Sequence, residues 1–131
     1  FSIPWNAPEE LAEWQAFRSS LVGRYWRAHG ADVYPVLMWG QHRPRVWAAE
    51  GSVVAVRGPS VGTLPRWLHG ARWYAERIRP RAVLTFGRIE GAEVWGCDVI
   101  QVGTHGGIGD RWERGNLPAW TRCSKRGSGV E

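Results

Sequence analysis

The apolar positions near the N-terminus recur at steps of three and four residues, which is the spacing of one face of a helix. They predict a long helix between Asn6, a suitable N-cap with Pro8 in the first turn, and Gly30, which ends it. Acidic residues cluster at its start and basic ones at its end, as the helix dipole favours. The positions predicted to form its buried face are Leu11, Trp14, Phe17, Leu21, Tyr25 and Ala28.

The rest of the chain alternates short apolar runs with helical patterns. Thr63 is a good N-cap for a second long helix, which Pro80 ends. Shorter helical pieces are predicted over 46–50 and 90–94, and strands over 1–5, 33–39, 52–56, 82–86 and 98–102. Such alternation predicts one α/β domain over 1–102 whose mainly parallel sheet has about five strands, either open or part of a barrel-like sheet. Residues 103–131 are predicted to form an irregular, Gly-rich, basic tail.

Composition narrows the class of protein. The chain has 131 residues, 44% of them hydrophobic, which suits one domain, and no apolar run is long enough to cross a membrane. No secretory signal is visible, and the start at Phe1 rather than Met indicates that the true start is either missing or was processed. The net charge is +5, and 16 of the 17 cations are Arg, which indicates either phosphate recognition or a GC-rich genome.

Several motifs follow one another at a characteristic spacing between Gln15 and Val102. They are the helix end Gly23-Arg24-Tyr25-Trp26, the run Val33-Tyr34-Pro35-Val36 with Trp39, the strand Gly51–Val56, and Arg79-Pro80 before Val83-Leu84 and Gly87. In these motifs the stretch resembles a family of phage- and mobile-element-encoded domains whose function is not established. In that family an acidic Asp-Glu-Arg loop usually follows the Trp, whereas this chain has Gly40-Gln41-His42-Arg43. The resemblance implies a phage or prophage setting in a GC-rich host such as an actinobacterium, and it supplies no mechanism.

Ligand sites in parallel α/β folds lie beyond the carboxyl ends of the strands. Aromatic, imidazole and guanidinium groups converge there, a mixture that suits an anionic ligand such as a phosphate or a nucleotide. The predicted ligand-binding residues are Trp39, Gln41, His42, Arg57, Ser60, Arg88 and His105. The loop from Gly58 to Thr63 is not a Walker loop, because no Lys follows its glycines at the required spacing.

Catalytic and metal chemistry find little support in the sequence. Glu90 and Asp110 are the only acids near strand ends, and nothing fixes their separation. His42, His105 and Asp110 have the side chains of a zinc site but no local ligand spacing, so neither a metal nor a cofactor is expected. Cys97 has no evident activating base, and with Cys123 it is expected to be a free thiol.

The basic tail is the second candidate binding surface, because its cations alternate with Trp112 and Trp120, as in single-strand binders. The predicted nucleic-acid-binding residues are Arg111, Arg114, Arg122, Lys125 and Arg126. The function predicted first is a phage or prophage accessory protein that binds nucleic acid or a host protein, in the host cytoplasm or within a phage particle. The alternatives are an enzyme acting on a nucleotide or phosphate ester at the strand ends, and a structural component of a phage assembly.

Overall fold

The computed structural model describes residues 3–102 and the backbone of a short strand over 121–123. Within these described residues, two helices, one 3₁₀ turn and five strands follow one another. In order they are α1 (Glu9–Ala28), β1 (Val36–Leu37), β2 (Val53–Arg57), α2 (Leu64–Ile78), β3 (Ala82–Phe86), the 3₁₀ turn (Ala92–Trp95), β4 (Asp98–Val102) and β5 (Thr121–Cys123). No helix in the described part of the chain is both long and apolar enough to cross a membrane.

The strands form one open sheet in the order β1-β2-β3-β4-β5. The first four are mutually parallel, and β5 runs antiparallel to β4. The predicted α/β fold with a mainly parallel sheet of about five strands is therefore confirmed. β5 lies within the segment predicted to be an irregular tail, and the other residues of 103–131 lie outside the described residues.

The core lies where one face of the sheet packs against α2 and the 3₁₀ turn. Val54 and Val56 of β2 align in register with Val83 and Thr85 of β3, so all four side chains project from that face. α2 covers it with the face that its sequence predicts, because Ala71, Tyr74 and Ile78 follow helical spacing and are buried. Each Å² of apolar surface that this packing removes from water contributes about 25 cal/mol to stability.

Several local predictions were wrong. Residues 3–5 form no strand, because Ala7 N–H donates to Pro4 O and closes a turn there; residues 1–2 lie outside the described part. That turn also displaces the helix start, so α1 begins at Glu9 with Pro8, not Asn6, at its N-cap. The strand predicted over 33–39 is shortened to the two residues that follow Pro35, which itself has no N–H to donate. Residues 46–50 are not helical.

The predicted buried face of α1 was also wrong. The helix turns the small residues Ala12 and Ala16 inward, and a Cβ on Gly23 would lie only 3.2 Å from the Val33 side chain. Small side chains let the helix backbone approach the segment before β1 closely. The large apolar positions therefore point outward, and the exposed ones are Leu11, Trp14, Phe17, Leu21 and Tyr25.

Candidate functional site

A cleft of about 540 Å³ opens at the carboxyl ends of β1 and β2, beside the start of α2. Three of the predicted ligand-binding residues, Trp39, Arg57 and Ser60, line it, together with Thr63 and Trp67. None of the described residues that line it carries a carboxylate or an imidazole. The cleft thus offers aromatic, hydroxyl and guanidinium groups, which can bind an anion, but no pair for general acid and base catalysis.

Hydrogen bonds fix the walls of the cleft. The indole N–H of Trp67 donates to Arg57 O at 2.8 Å, which joins α2 to the end of β2. Thr63 Oγ1 donates to Ser60 O at 2.8 Å, so its hydroxyl closes the preceding turn instead of capping α2. Gly58 is required where it stands, since a Cβ there would overlap the carbonyl of Arg88. The loops after β2 and β3 are consequently in backbone contact.

A cluster of aromatic rings packs around Trp39 and Trp67, the two tryptophans that line the cleft. The ring of Trp39 lies 5.8 Å from that of Trp67 and 5.5 Å from that of Tyr74, and the ring of Trp95 meets Trp67 edge-on at 6.0 Å. Such contacts contribute about 0.5–1.5 kcal/mol each beyond their buried area. Gly70 of α2 lies directly against the Trp39 ring, so the position of that ring is set by the absence of a side chain on the helix.

The other predicted strand-end residues that the structure describes do not line this cleft. Gln41 and His42 are exposed in a loop that bends toward the N-terminus, where Gln41 N–H donates to Trp5 O at 2.8 Å. Arg88 instead faces Glu90, with 3.4 Å between their charged atoms. His105 lies outside the described residues. Its role as a ligand-binding residue stays a prediction.

The structure arranges no described side chains for metal binding or for thiol catalysis. Two of the three groups considered for zinc, His105 and Asp110, lie outside the described residues, and within that part no three His, Cys, Asp or Glu side chains cluster. Cys97 is half-buried, and burial, with the charge of Asp98 adding to it, raises the pKa of its thiol. A raised pKa leaves less of the reactive thiolate at neutral pH.

A second surface, which the sequence reasoning did not identify, lies along one flank of α2, where Trp73 also packs against the core. Arg66 and Arg77 lie on one side of the helix with Trp73 between them, and we call these residues, with Trp5 and Arg43, the Arg–Trp face. The guanidinium carbon of Arg66 lies 5.1 Å from the ring centre of Trp5; those of Arg43 and Arg77 lie 5.8 and 3.8 Å from that of Trp73. In the sequence, Arg66, Trp73 and Arg77 are seven and four residues apart, and this spacing indicates that they share one side of a helix.

None of the three arginines of the Arg–Trp face forms an ion pair with an acid in the described part of the chain. Glu76 is the only acidic residue of α2. A guanidinium stacked on a ring keeps its edge N–H groups for an anion, so this face combines cations with aromatic surface. The predicted tail residues Arg111, Arg114, Lys125 and Arg126 lie outside the described residues, and only the backbone of Arg122 is described.

The described residues thus define an open-sheet α/β domain with an anion-compatible cleft and a basic aromatic face. The chain belongs to the family described as Domain of unknown function (DUF4417), whose family model matches residues 1–101. It is 25% identical over 97 residues to the Gene 1 protein of Mycobacterium phage L5 and 26% identical over 97 residues to that of Mycobacterium phage D29. The predicted resemblance to uncharacterised phage domains is confirmed.

Both alignments cover 68% of this chain, but 42% of the first relative and 36% of the second. The chain therefore spans about two fifths of the length of these phage proteins. No solved structure matches the chain.

Proposed function

We propose that this chain is a phage accessory protein that binds nucleic acid through the Arg–Trp face of α2. The observation that carries the proposal is the placement of Arg43, Arg66 and Arg77 over the rings of Trp5 and Trp73. Phosphates recruit guanidinium groups, and bases stack on indole rings and on guanidinium planes. The phage setting rests on the family and on its two mycobacteriophage relatives.

The dimensions and charge of the face support this reading. Arg66 and Arg77 are eleven residues apart on one helix, or about 16 Å along its axis. That span is long enough to follow a nucleic-acid backbone over several phosphates. The net charge of +5 adds a long-range attraction to any polyanion.

The first test is a titration of single- and double-stranded DNA and RNA into the full chain, followed by Trp fluorescence. Affinity should fall steeply between about 50 and 200 mM salt, since each phosphate contact contributes about −0.9 to the slope of log K against log salt. In a variant with Arg66→Gln and Arg77→Gln, that slope should be shallower by about 2. Absence of binding at the lower salt concentration would overturn the proposal.

A matched control removes the same charge elsewhere. Arg79 and Arg81 are exposed beyond the end of α2, and their double Gln variant should change the slope by less than about 0.5. Equal effects of the two double variants would mean that net charge alone drives binding. A third variant, with Arg111→Gln and Arg114→Gln, separates the predicted tail site from the Arg–Trp face, because only the surface that contacts phosphate changes the slope.

The strand-end cleft favours a second candidate function, the binding of a small phosphate-bearing molecule. Its volume of about 540 Å³ suits a nucleotide, and Arg57 supplies a cation at its rim. Calorimetric titration with nucleoside mono- and triphosphates tests it, with Arg57→Gln as the disabling variant and Arg81→Gln as the control. Binding that Arg57→Gln leaves intact would place the ligand elsewhere.

A further inference from the structure

The outward side of α1 presents a row of large apolar side chains, which we call the α1 stripe: Leu11, Trp14, Phe17, Leu21 and Tyr25. Each is between 40% and 62% exposed. The exposed Arg18 lies between them, at the middle of the row. The rings of Trp14 and Phe17 already stack on each other, with 5.9 Å between their centres. A contiguous apolar surface of this kind marks an interaction site in a soluble domain, because isolated apolar residues are common but rows of them are not.

We infer that the α1 stripe binds the α1 stripe of a second copy of this chain, with the two helices antiparallel and related by a two-fold axis. The first argument is the spacing. The stripe is nearly palindromic about residue 19, so an antiparallel copy places Phe17 opposite Leu21 of its partner and Trp14 opposite Tyr25. A two-fold interface needs such a self-complementary surface.

The second argument is the distribution of charge along α1. Glu9, Glu10 and Glu13 occupy the N-terminal part of the helix, and Arg24 and Arg27 the C-terminal part. Two parallel copies would align like charges, whereas antiparallel copies align acids with arginines and also oppose the helix dipoles.

One charged pair is specific to this register. At 100° per residue, Glu13 and Arg24 lie on the same flank of the stripe, and in antiparallel helices equal flanks face each other. Glu13 of each copy therefore lies beside Arg24 of the other, which gives two ion pairs per dimer. The Glu13 carboxylate is already held in place, since it accepts the Arg45 backbone N–H at 3.2 Å.

The area available is close to what a specific contact needs. With aromatic side chains of about 150–250 Å² each, the exposed parts of the stripe sum to roughly 500 Å² per copy. Covering both stripes would bury about 1,000 Å² in total, near the lower bound for a biological interface. Trp47, which is 50% exposed and lines a shallow groove with Trp14 and Phe17, extends the same surface.

Sedimentation velocity of the full chain without nucleic acid, from about 5 to 300 μM, tests the inference, because this range covers the weak association expected near the lower size bound. The expected result is a monomer–dimer equilibrium. Leu21→Arg should raise the dissociation constant at least about 30-fold, because it removes a central apolar contact and adds a second charge next to Arg18 near the two-fold axis. Val61→Arg, at a loop position that is 74% exposed, is the matched control and should leave the constant unchanged.

Charge exchange tests the antiparallel orientation. Glu13→Arg and Arg24→Glu should each weaken the dimer about 10-fold, and the double variant should restore it. Thermal unfolding of each variant separates this effect from lost monomer stability. A wild-type chain that stays monomeric, a dimer indifferent to Leu21→Arg, or a double variant as weak as the single ones would overturn the inference. None of these readouts depends on nucleic-acid binding, so this inference and the proposed function can fail separately.

Discussion

The hydroxyl group of Tyr74 offers the sharpest test of how the domain is held together. Tyr74 is 1% exposed, and its hydroxyl donates to Pro44 O at 2.6 Å and approaches Met38 O at 3.3 Å. The group thus joins α2 to both sides of the loop after β1. Tyr74→Phe keeps the ring but leaves both carbonyls without this donor. An unsatisfied buried polar group costs about 1–3 kcal/mol, so the variant should lose about that much free energy of unfolding.

Urea unfolding followed by Trp fluorescence measures this loss, with Tyr34→Phe as the matched control. Tyr34 is 48% exposed, and its hydroxyl bonds to no described residue, so its loss should change stability by less than about 0.5 kcal/mol. A Tyr74→Phe variant within about 0.5 kcal/mol of the wild type would refute the reasoning, because it would mean that water or a rearranged loop satisfies the two carbonyls.

Three further predictions follow from the same contacts. Burial, with the charge of Glu13 adding to it, raises the pKa of Tyr74, so the folded protein keeps a proton that the unfolded chain releases above about pH 10. The free energy of unfolding of the wild type should therefore fall by up to about 1.4 kcal/mol per pH unit above that pH, whereas Tyr74→Phe should lack this contribution. Urea midpoints that change equally with pH in the two proteins between pH 9 and 11 would contradict the prediction. Gly70→Ala should cost about 1–3 kcal/mol by pressing on the Trp39 ring, although alanine favours helices, and an equally stable variant in urea unfolding would show that the ring can yield. Arg18→Gln should lower the dissociation constant of the proposed dimer a few-fold in sedimentation, since the two Arg18 side chains of the dimer would lie side by side and repel each other. An unchanged dissociation constant would indicate that both side chains turn into water.

The candidate cleft could be predicted in part. Trp39, Arg57 and Ser60 were placed together by the rule that ligands bind at the carboxyl ends of parallel strands, and the structure brings these three to one cleft. Gln41 and His42 follow the same strand in sequence but turn away, because a loop's direction depends on backbone bonds such as the one to Trp5 O. The Arg–Trp face was not predicted, since it joins α2 to Trp5 and Arg43, which are far away in sequence.

The sequence by itself determined the elements whose pattern is local. The second helix, the strands over 82–86 and 98–102, and the α/β alternation follow from side-chain periodicity and turn chemistry within short windows. The periodicity of α1 likewise predicted a helix with one apolar side. Only the tertiary structure decided which side of α1 turns inward. That choice depends on what the neighbouring segment can accept, and the close approach at Gly23 and Val33 requires small side chains there. Large apolar side chains then remain outside because no described element covers them, and this is the physical reason that the most regular pattern in the sequence lies on a surface.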